Sequence, residues 1–398
     1  MFRFSLTCLL FVAKVAVAVV ATAAAPCAAF AQDPIDHKIP PGYEPEHGPD
    51  EDGIWMEIAE YEKAIQQSAL LIDDPDINNY VDAIVCRVAG DYCNDFRVYV
   101  MRNPGFNASM TATGVMQIWS GLLLRSQSSD EVAAVIGHEI AHYTRLHTLE
   151  RLRKLKKSAA FGSIFDIGLT IATGVSAPVG QLSAMLSTLS FSREQESEAD
   201  FLGARLIADA AYDPHAAYRV WHGIIAEEQA AAAKRQEPSI FAQTHPEAEV
   251  RARELKDWIT ATYGPPDVEI VSNREHVEML NRHYLLLMED QIDTNRFGRT
   301  EEMLKRHSDM GIEPSLIRFF YGEMFRQRGQ DGDQKLAMDA YRHSIEGGSA
   351  PAEAYKNLGY LHLKNKEVAE AQEQFRKYLE LAPDASDRAM IEFYLEEE

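Results

Sequence analysis

Apolar residues recur three and four apart along most of this 398-residue chain, so most of it is expected to be helical. Val132, Val135, Ile136 and Ile140 follow a Ser128-Ser129-Asp130 start signal and predict a helix through His142. Two earlier helices are expected, over 54–72 and, after the breaker Asp73-Asp74-Pro75, over 76–88. β-branched and aromatic content marks two strands, 96–101 and 114–119. Asn103-Pro104-Gly105 turns the first, and Ser120-Gly121 is expected to end the second. A later helix opens after Phe191 and runs to about Ala208. Another runs from His215 toward Lys234, ahead of a loop at Gln236-Glu237-Pro238. Tyr263-Gly264-Pro265-Pro266 then punctuates the chain, and helical hairpins follow it. The expected fold class is α+β, mainly α, with a small sheet in a first domain over 54–263 and a helical domain over 267–398.

Those hairpins carry a spacing of their own. Tyr355, Leu358, Gly359, Ala371, Phe375 and Pro383 fall at the offsets of a tetratricopeptide repeat (TPR). Gly322, Phe325, Ala337 and Tyr341 match one repeat earlier, with an insertion at 330–334. Stacked hairpins of this kind present concave surfaces to peptides or partner proteins.

The N-terminus adds a targeting signal. Arg3 precedes an apolar run from Leu9 to Ala25, and Ala29-Phe30-Ala31 is a small-x-small cleavage site, so residues 1–31 read as a signal peptide. Residues 32–53, rich in Pro, Asp, Glu and His without periodicity, read as an extended leader. The net charge of −22 argues against nucleic acid or anionic lipid as the main partner. Cleavage would remove Arg3 and Lys14 but no acid, and so deepen that charge. Of four cysteines, Cys86 and Cys93 would remain in a compartment that permits disulfides. On one unbroken helix their Cα atoms would lie about 10 Å apart, too far to bond, so a Cys86–Cys93 disulfide requires the helix to end near Gly90. Residues 167–192 carry no formal charge up to Arg193. Gly168, Gly174, Pro178 and Gly180 break that run, which favours two short helices over the active site, either touching a membrane peripherally within 159–192 or forming a substrate groove, over a span.

The candidate chemistry lies in His138-Glu139-Ile140-Ala141-His142. Residues four apart on a helix share a face, with Cβ atoms roughly 5–6 Å apart. Two imidazoles there can grip one ion, and Zn²⁺ takes nitrogen ligands readily. Glu139 is then placed as the general base toward water. The bland alternative is a buried helix whose histidines are satisfied by hydrogen bonds. A third ligand decides between them, and Ser192-Arg193-Glu194-Gln195-Glu196-Ser197-Glu198-Ala199-Asp200 offers one. At ~100° per residue Glu196 and Asp200 lie about 40° apart with Arg193 on the same side, while Glu194 and Glu198 point far from Asp200. Glu196 is the expected third zinc ligand. Asp200 is expected to fix a ligand imidazole, and Arg193 to restrain the carboxylates. His147, one turn beyond the pair, reads as a helix-end residue near the C-terminal dipole.

Taken together, His138-Glu-x-x-His142 and Ser192-Arg193-x-x-Glu196-x-Glu198-Ala199-Asp200 resemble the gluzincin metallopeptidases related to the CAAX prenyl proteases, in particular their secreted, TPR-bearing members. The resemblance covers roughly 57–253 and extends to the C-terminal helices in type. It implies a zincin-type metalloprotease domain followed by a TPR-like domain, one Zn²⁺ per chain on His138, His142 and Glu196, and Glu139 as catalyst. It also implies a substrate strand at 114–119, with Val115, Met116 and Gln117 pairing an extended peptide and Asn107-Ala108 helping to hold it. Thr244-His245-Pro246 followed by Arg251 is a further family mark. His245 would either block the open coordination position or stabilise the oxyanion during turnover, and Arg251 would orient it or the Glu196–Asp200 pair. The implied substrates are unfolded or misassembled protein segments in the periplasm, within outer-membrane protein quality control. The outer-membrane assembly machinery would be a partner through the repeats. Two rival readings are a chaperone or scaffold with a self-blocked zinc site, and a membrane-embedded processing protease.

Overall fold

A computed structural model describes residues 37–46, 48, 52–156, 191–233, 248–266 and 274–396. The signal peptide, most of the leader, the 159–190 segment and His245 therefore lie outside the described residues. Helix α1 (Asp52–Gln66) stops short of its expected end at 72, because Leu71 instead bridges to Met101 beside the sheet. Helix α2 (Pro75–Ala89) starts with proline at a position that needs no N–H, and the Asp74 carboxylate accepts from the Asp76 and Ile77 amides. It ends at Gly90 (φ +56°), and a 3-10 turn, Gly90–Asp95, follows. That break brings Cys86 and Cys93 to a Cα–Cα distance of 4.6 Å, where a disulfide joins them.

Three strands make one sheet in the order β1-β3-β2. β1 (Arg97–Met101) runs parallel to β3 (Val115–Trp119), while β2 (Ala108–Met110) runs antiparallel to it, Ser109 opposite Gln117. β2 is too short and too polar for its pattern to announce it. Ser120 and Gly121 end β3 as expected, and helix α3 (Ser120–Arg125), buried throughout, begins at once.

Helix α4 (Ser129–Thr144) is capped by the Ser128 hydroxyl and buried at every residue except Asp130. It is covered by β2, α2, α6 (Arg193–Asp209) and α7 (Ala216–Ala233). Such a helix needs apolar residues all round, which Val132, Ala133, Val135, Ile136, Ile140 and Ala141 supply. Helix α5 (His147–Lys156) follows a short break, and α8 (Ala248–Tyr263) packs on α6 and α7.

Seven helices complete the described chain: α9 (Arg274–Asp293), α10 (Phe297–Met310), α11 (Pro314–Arg328), α12 (Asp333–Glu346), α13 (Ala352–Lys364), α14 (Val368–Leu381) and α15 (Arg388–Glu396). Gly322 on α11 lies under the Tyr341 ring of α12, and a Cβ there would sit 2.5 Å from the ring. Gly359 on α13 stands in the same relation to Phe375 of α14, at 2.7 Å. One hydrophobic core runs from Ile39 through the sheet and α4 to Leu361. At the seam where α9 and α10 meet α3, His276 Nε2 donates to the Ser126 carbonyl at 2.8 Å, and His307 Nε2 donates to the Leu124 carbonyl at 2.7 Å. Tyr80 and Tyr284 hydroxyls face the other ring nitrogens at 2.7 and 2.6 Å. Beside them Glu227 is buried between Arg125 and Arg306, and Arg125 also donates to Gln291.

Candidate metal centre

The centre forms where α4 crosses α6, and two glycines set how closely they approach. A Cβ on Gly203 would lie 2.8 Å from the His138 backbone nitrogen, and one on Gly137 would lie 2.9 Å from the Gly203 carbonyl oxygen. Only bare backbone fits there. Glu196, Asp200 and Gly203 share one face of α6 by their four- and three-residue spacing, so this crossing delivers both carboxylates to the histidine face of α4.

His138 Nε2 and His142 Nε2 face each other at 3.0 Å. The Glu196 carboxylate stands 3.7 Å from the first and 3.8 Å from the second. Ligand atoms of all three lie within 4.8 Å of one another, and all three residues are buried. Behind His138, Asp200 Oδ1 faces Nδ1 at 3.0 Å. Arg251 of α8 grips Asp200 with two bonds, at 2.8 and 2.7 Å, and reaches Glu196 at 2.5 Å with its remaining Nη. The Trp221 ring lies under its guanidinium at 4.5 Å. Behind His142, Nδ1 meets His147 Nδ1 at 3.0 Å, and His147 Nε2 meets Glu198 Oε2 at 3.0 Å. Phe191 stacks on the His142 ring, centroids 3.9 Å apart.

The electrostatics follow from burial among unlike charges. Burial pushes the Asp200 carboxyl up, but the Arg251 charge and the bonds from His138 and Arg251 outweigh it and bring it to about 2. Burial opposes the charged form of His138, yet the bond to Asp200 and the charges of Asp200 and Glu196 raise it. Burial pushes the Glu139 carboxyl up to about 7, aided by Glu196 and opposed by His138. The donor set fits a divalent cation of borderline softness. Asp200 can only accept, so His138 Nδ1 carries the proton and its Nε2 presents a lone pair. That lone pair, a second imidazole nitrogen and a carboxylate converge, which is the nitrogen-and-oxygen set of a zinc site with an open fourth position.

The structure gathers His138, Glu139, His142, Glu196, Asp200 and Arg251 in one place. Arg193 stands apart from the role expected of it: half-exposed, it meets Glu254 at 3.9 Å, and the guanidinium gripping both carboxylates is that of Arg251. His147 also departs from its expected place. It opens α5 rather than closing α4, and it is buried against His142, a contact that five-residue spacing across a helix break does not announce.

Val115, Met116 and Gln117 cannot pair a substrate, because β1 and β2 occupy both edges of β3 and all three residues are buried. The edge beside the site belongs to β2. Asn107 O and Thr111 N bond to β3, so alternation turns the backbone groups of Ala108 and Met110 away from it. The Met110 amide donates to the Glu139 carboxylate, and Thr148 donates to the Met110 carbonyl at 3.3 Å. Asn107 and Ala108 are both buried.

Two histidines one turn apart on a buried helix, a glutamate between them and a carboxylate from a second helix form the arrangement expected of a zincin-type metallopeptidase site. Residues 72–259 match the family described as Peptidase family M48, and this segment is a peptidase M48 domain. Similar proteins include the "Mitochondrial metalloendopeptidase OMA1" of Schizosaccharomyces pombe, 30% identical over 45% of this chain and 52% of the relative. The "Putative beta-barrel assembly-enhancing protease" of Vibrio cholerae is 27% identical over 50% of this chain and 42% of its own length. The "Beta-barrel assembly-enhancing protease" of Escherichia coli K12 is 26% identical over 39% and 34% respectively. The chain thus spans about half or less of the length of these relatives. Among the described residues no helix is long and apolar enough to cross a membrane.

Proposed function

We propose that this chain is a zinc-dependent endopeptidase acting on unfolded or misassembled protein segments in the periplasm, in envelope protein quality control. The observation that carries the reading is the convergence of His138 Nε2, His142 Nε2 and the Glu196 carboxylate, with Glu139 buried beside them. His138, His142 and Glu196 would hold one Zn²⁺, which supplies Lewis acidity when bound. Glu139 takes a proton from the attacking water on its carboxylate and returns it to the leaving amine nitrogen. Asp200, locked by Arg251, keeps the His138 ring in place. An extended peptide would lie along the outer edge of β2 and replace the bonds that Met110 makes there to Glu139 and Thr148. Only an unfolded or unpaired segment can offer its backbone to such an edge, which supports the substrate class.

The remaining assignments belong to the same reading. His245, in the Thr244-His245-Pro246 mark of the sequence, would either block the site or stabilise the oxyanion. The 54–263 unit cleaves, and the TPR-like helices of 267–398 recruit substrate or the outer-membrane assembly machinery, with the Gly322–Tyr341 and Gly359–Phe375 packing pairs in support. The names of the bacterial relatives support an envelope role. The signal peptide over 1–31 supports export, with peripheral membrane contact through 159–192. Bound-metal analysis of the purified chain should find one zinc in wild type and little in Glu196→Gln. Wild type should cleave casein, and Glu139→Gln should lose at least about 100-fold of that rate while keeping its zinc. Equal, chelator-insensitive behaviour of wild type and Glu139→Gln would leave a scaffold instead of an enzyme.

A further inference from the structure

The two imidazoles of the proposed zinc site are steadied by different devices, and only one of them, Asp200 with Arg251, is a carboxylate acting directly. Behind His142 stands a second histidine. His147 is buried, its Nδ1 3.0 Å from His142 Nδ1 and its Nε2 3.0 Å from Glu198 Oε2, and Arg145 pairs with the same Glu198 carboxylate.

Proton counting makes this chain directional. A carboxylate paired with arginine only accepts, so His147 Nε2 carries a proton and donates it. A neutral imidazole has one N–H, which leaves His147 Nδ1 as an acceptor. His142 Nδ1 must then be the donor across the 3.0 Å contact, and His142 Nε2 keeps its lone pair. That lone pair points where His138 Nε2 and Glu196 converge. With the relay reversed, His142 would carry its proton on Nε2, and an N–H would occupy the place a cation needs.

We propose that His147, set by Glu198, is a positioning residue that holds His142 in its metal-binding tautomer and orientation; the proposal rests on the zinc-site reading above. His147 touches neither metal nor substrate and acts through His142 alone. Phe191, stacked on the face of the His142 ring, adds to the restraint.

The test is zinc affinity of the full chain, read by competition with a chromophoric chelator. His147→Ala should bind zinc about 10–100-fold more weakly than wild type. His147→Asn, whose Oδ1 stands where Nδ1 was and can accept from His142, should recover most of that loss. Leu152→Ala, a core truncation on the same helix, should lower thermal stability and leave zinc affinity unchanged, which separates positioning from bulk packing. A folded His147→Ala protein with wild-type affinity would overturn the inference alone. Failure of wild type to bind zinc would overturn it together with the metallopeptidase reading. Wild type alone supplies a second measurement: ¹⁵N spectra of the zinc-loaded protein should show His147 protonated on Nε2 and His142 on Nδ1. The opposite tautomer at His147 would refute the relay.

Discussion

His138 and His142 at the candidate metal centre and His276 and His307 at the α9–α10 seam are all buried, yet their ring nitrogens face different worlds. At the seam each Nε2 donates to a backbone carbonyl and each Nδ1 faces a tyrosine hydroxyl, so every ring atom has the partner a neutral imidazole wants. At the centre the two Nε2 atoms face each other, with a carboxylate beside them. Burial alone therefore says nothing about chemistry. What distinguishes a candidate ligand from a satisfied core histidine is whether its second nitrogen keeps a lone pair that faces other electron donors.

The sharpest way to break this contrast is to make the same change in both places. His138→Gln should weaken zinc binding by more than about 100-fold, beyond the usual cost of losing an outer-shell partner. His276→Gln keeps a donor toward the Ser126 carbonyl and should leave zinc affinity where it was, both read by chelator competition. If the two variants bound zinc equally, the distinction would be empty.

Next in size is the crossing that assembles the centre. Gly203→Ala places a Cβ against the backbone of Gly137 and His138, neither of which can rotate away. It should cost about 3 kcal/mol, the upper end for overpacking, in denaturant unfolding, with zinc affinity falling in parallel. Loss of stability without loss of metal would mean that the crossing does not set the ligand distance.

The seam should answer to acid. Burial pushes His276 down to about 4 and His307 down to about 3, against an ordinary imidazole value near 6.5. Below that ordinary value the unfolded chain binds protons that the folded chain refuses, so stability is full above about pH 6.5 and declines as the pH falls toward the folded values. At pH 5 the loss should reach about 2 kcal/mol per histidine. The double variant His276→Gln, His307→Gln should flatten that part of the pH profile in thermal unfolding; a profile identical to wild type would show that the seam does not titrate.

Smallest of all should be Arg193→Ala. Its half-exposed pair with Glu254 is worth less than about 0.5 kcal/mol, and unfolding and zinc titrations should barely distinguish it from wild type. A large loss of metal would return to Arg193 the role that the structure gives to Arg251.

The legible parts of this chain were those that repeat or that chemistry makes rare. The α4 pattern, its Ser128 cap and the four-residue histidine spacing all act within one or two turns of helix, where geometry is the same in every protein. The Glu196–Asp200 face was readable for the same reason, as was the need for a break near Gly90 if Cys86 and Cys93 are to meet. β2 was invisible because three residues with one serine among them carry no period. The order β1-β3-β2, which places Val115–Met116–Gln117 in the middle of the sheet and leaves β2 at its edge, has no local signature at all.

By itself the amino-acid sequence determined which side chains share a helix face, and hence which of them can act as a pair. Tertiary structure decided what stands behind each pair: that Arg251 and not Arg193 holds the carboxylates, that His147 backs His142, and that Gly137 meets Gly203. The division has one physical cause. Angular position on a helix follows from about 1.5 Å and ~100° per residue, whereas contact between elements separated by tens of residues depends on the packing of every side chain between them.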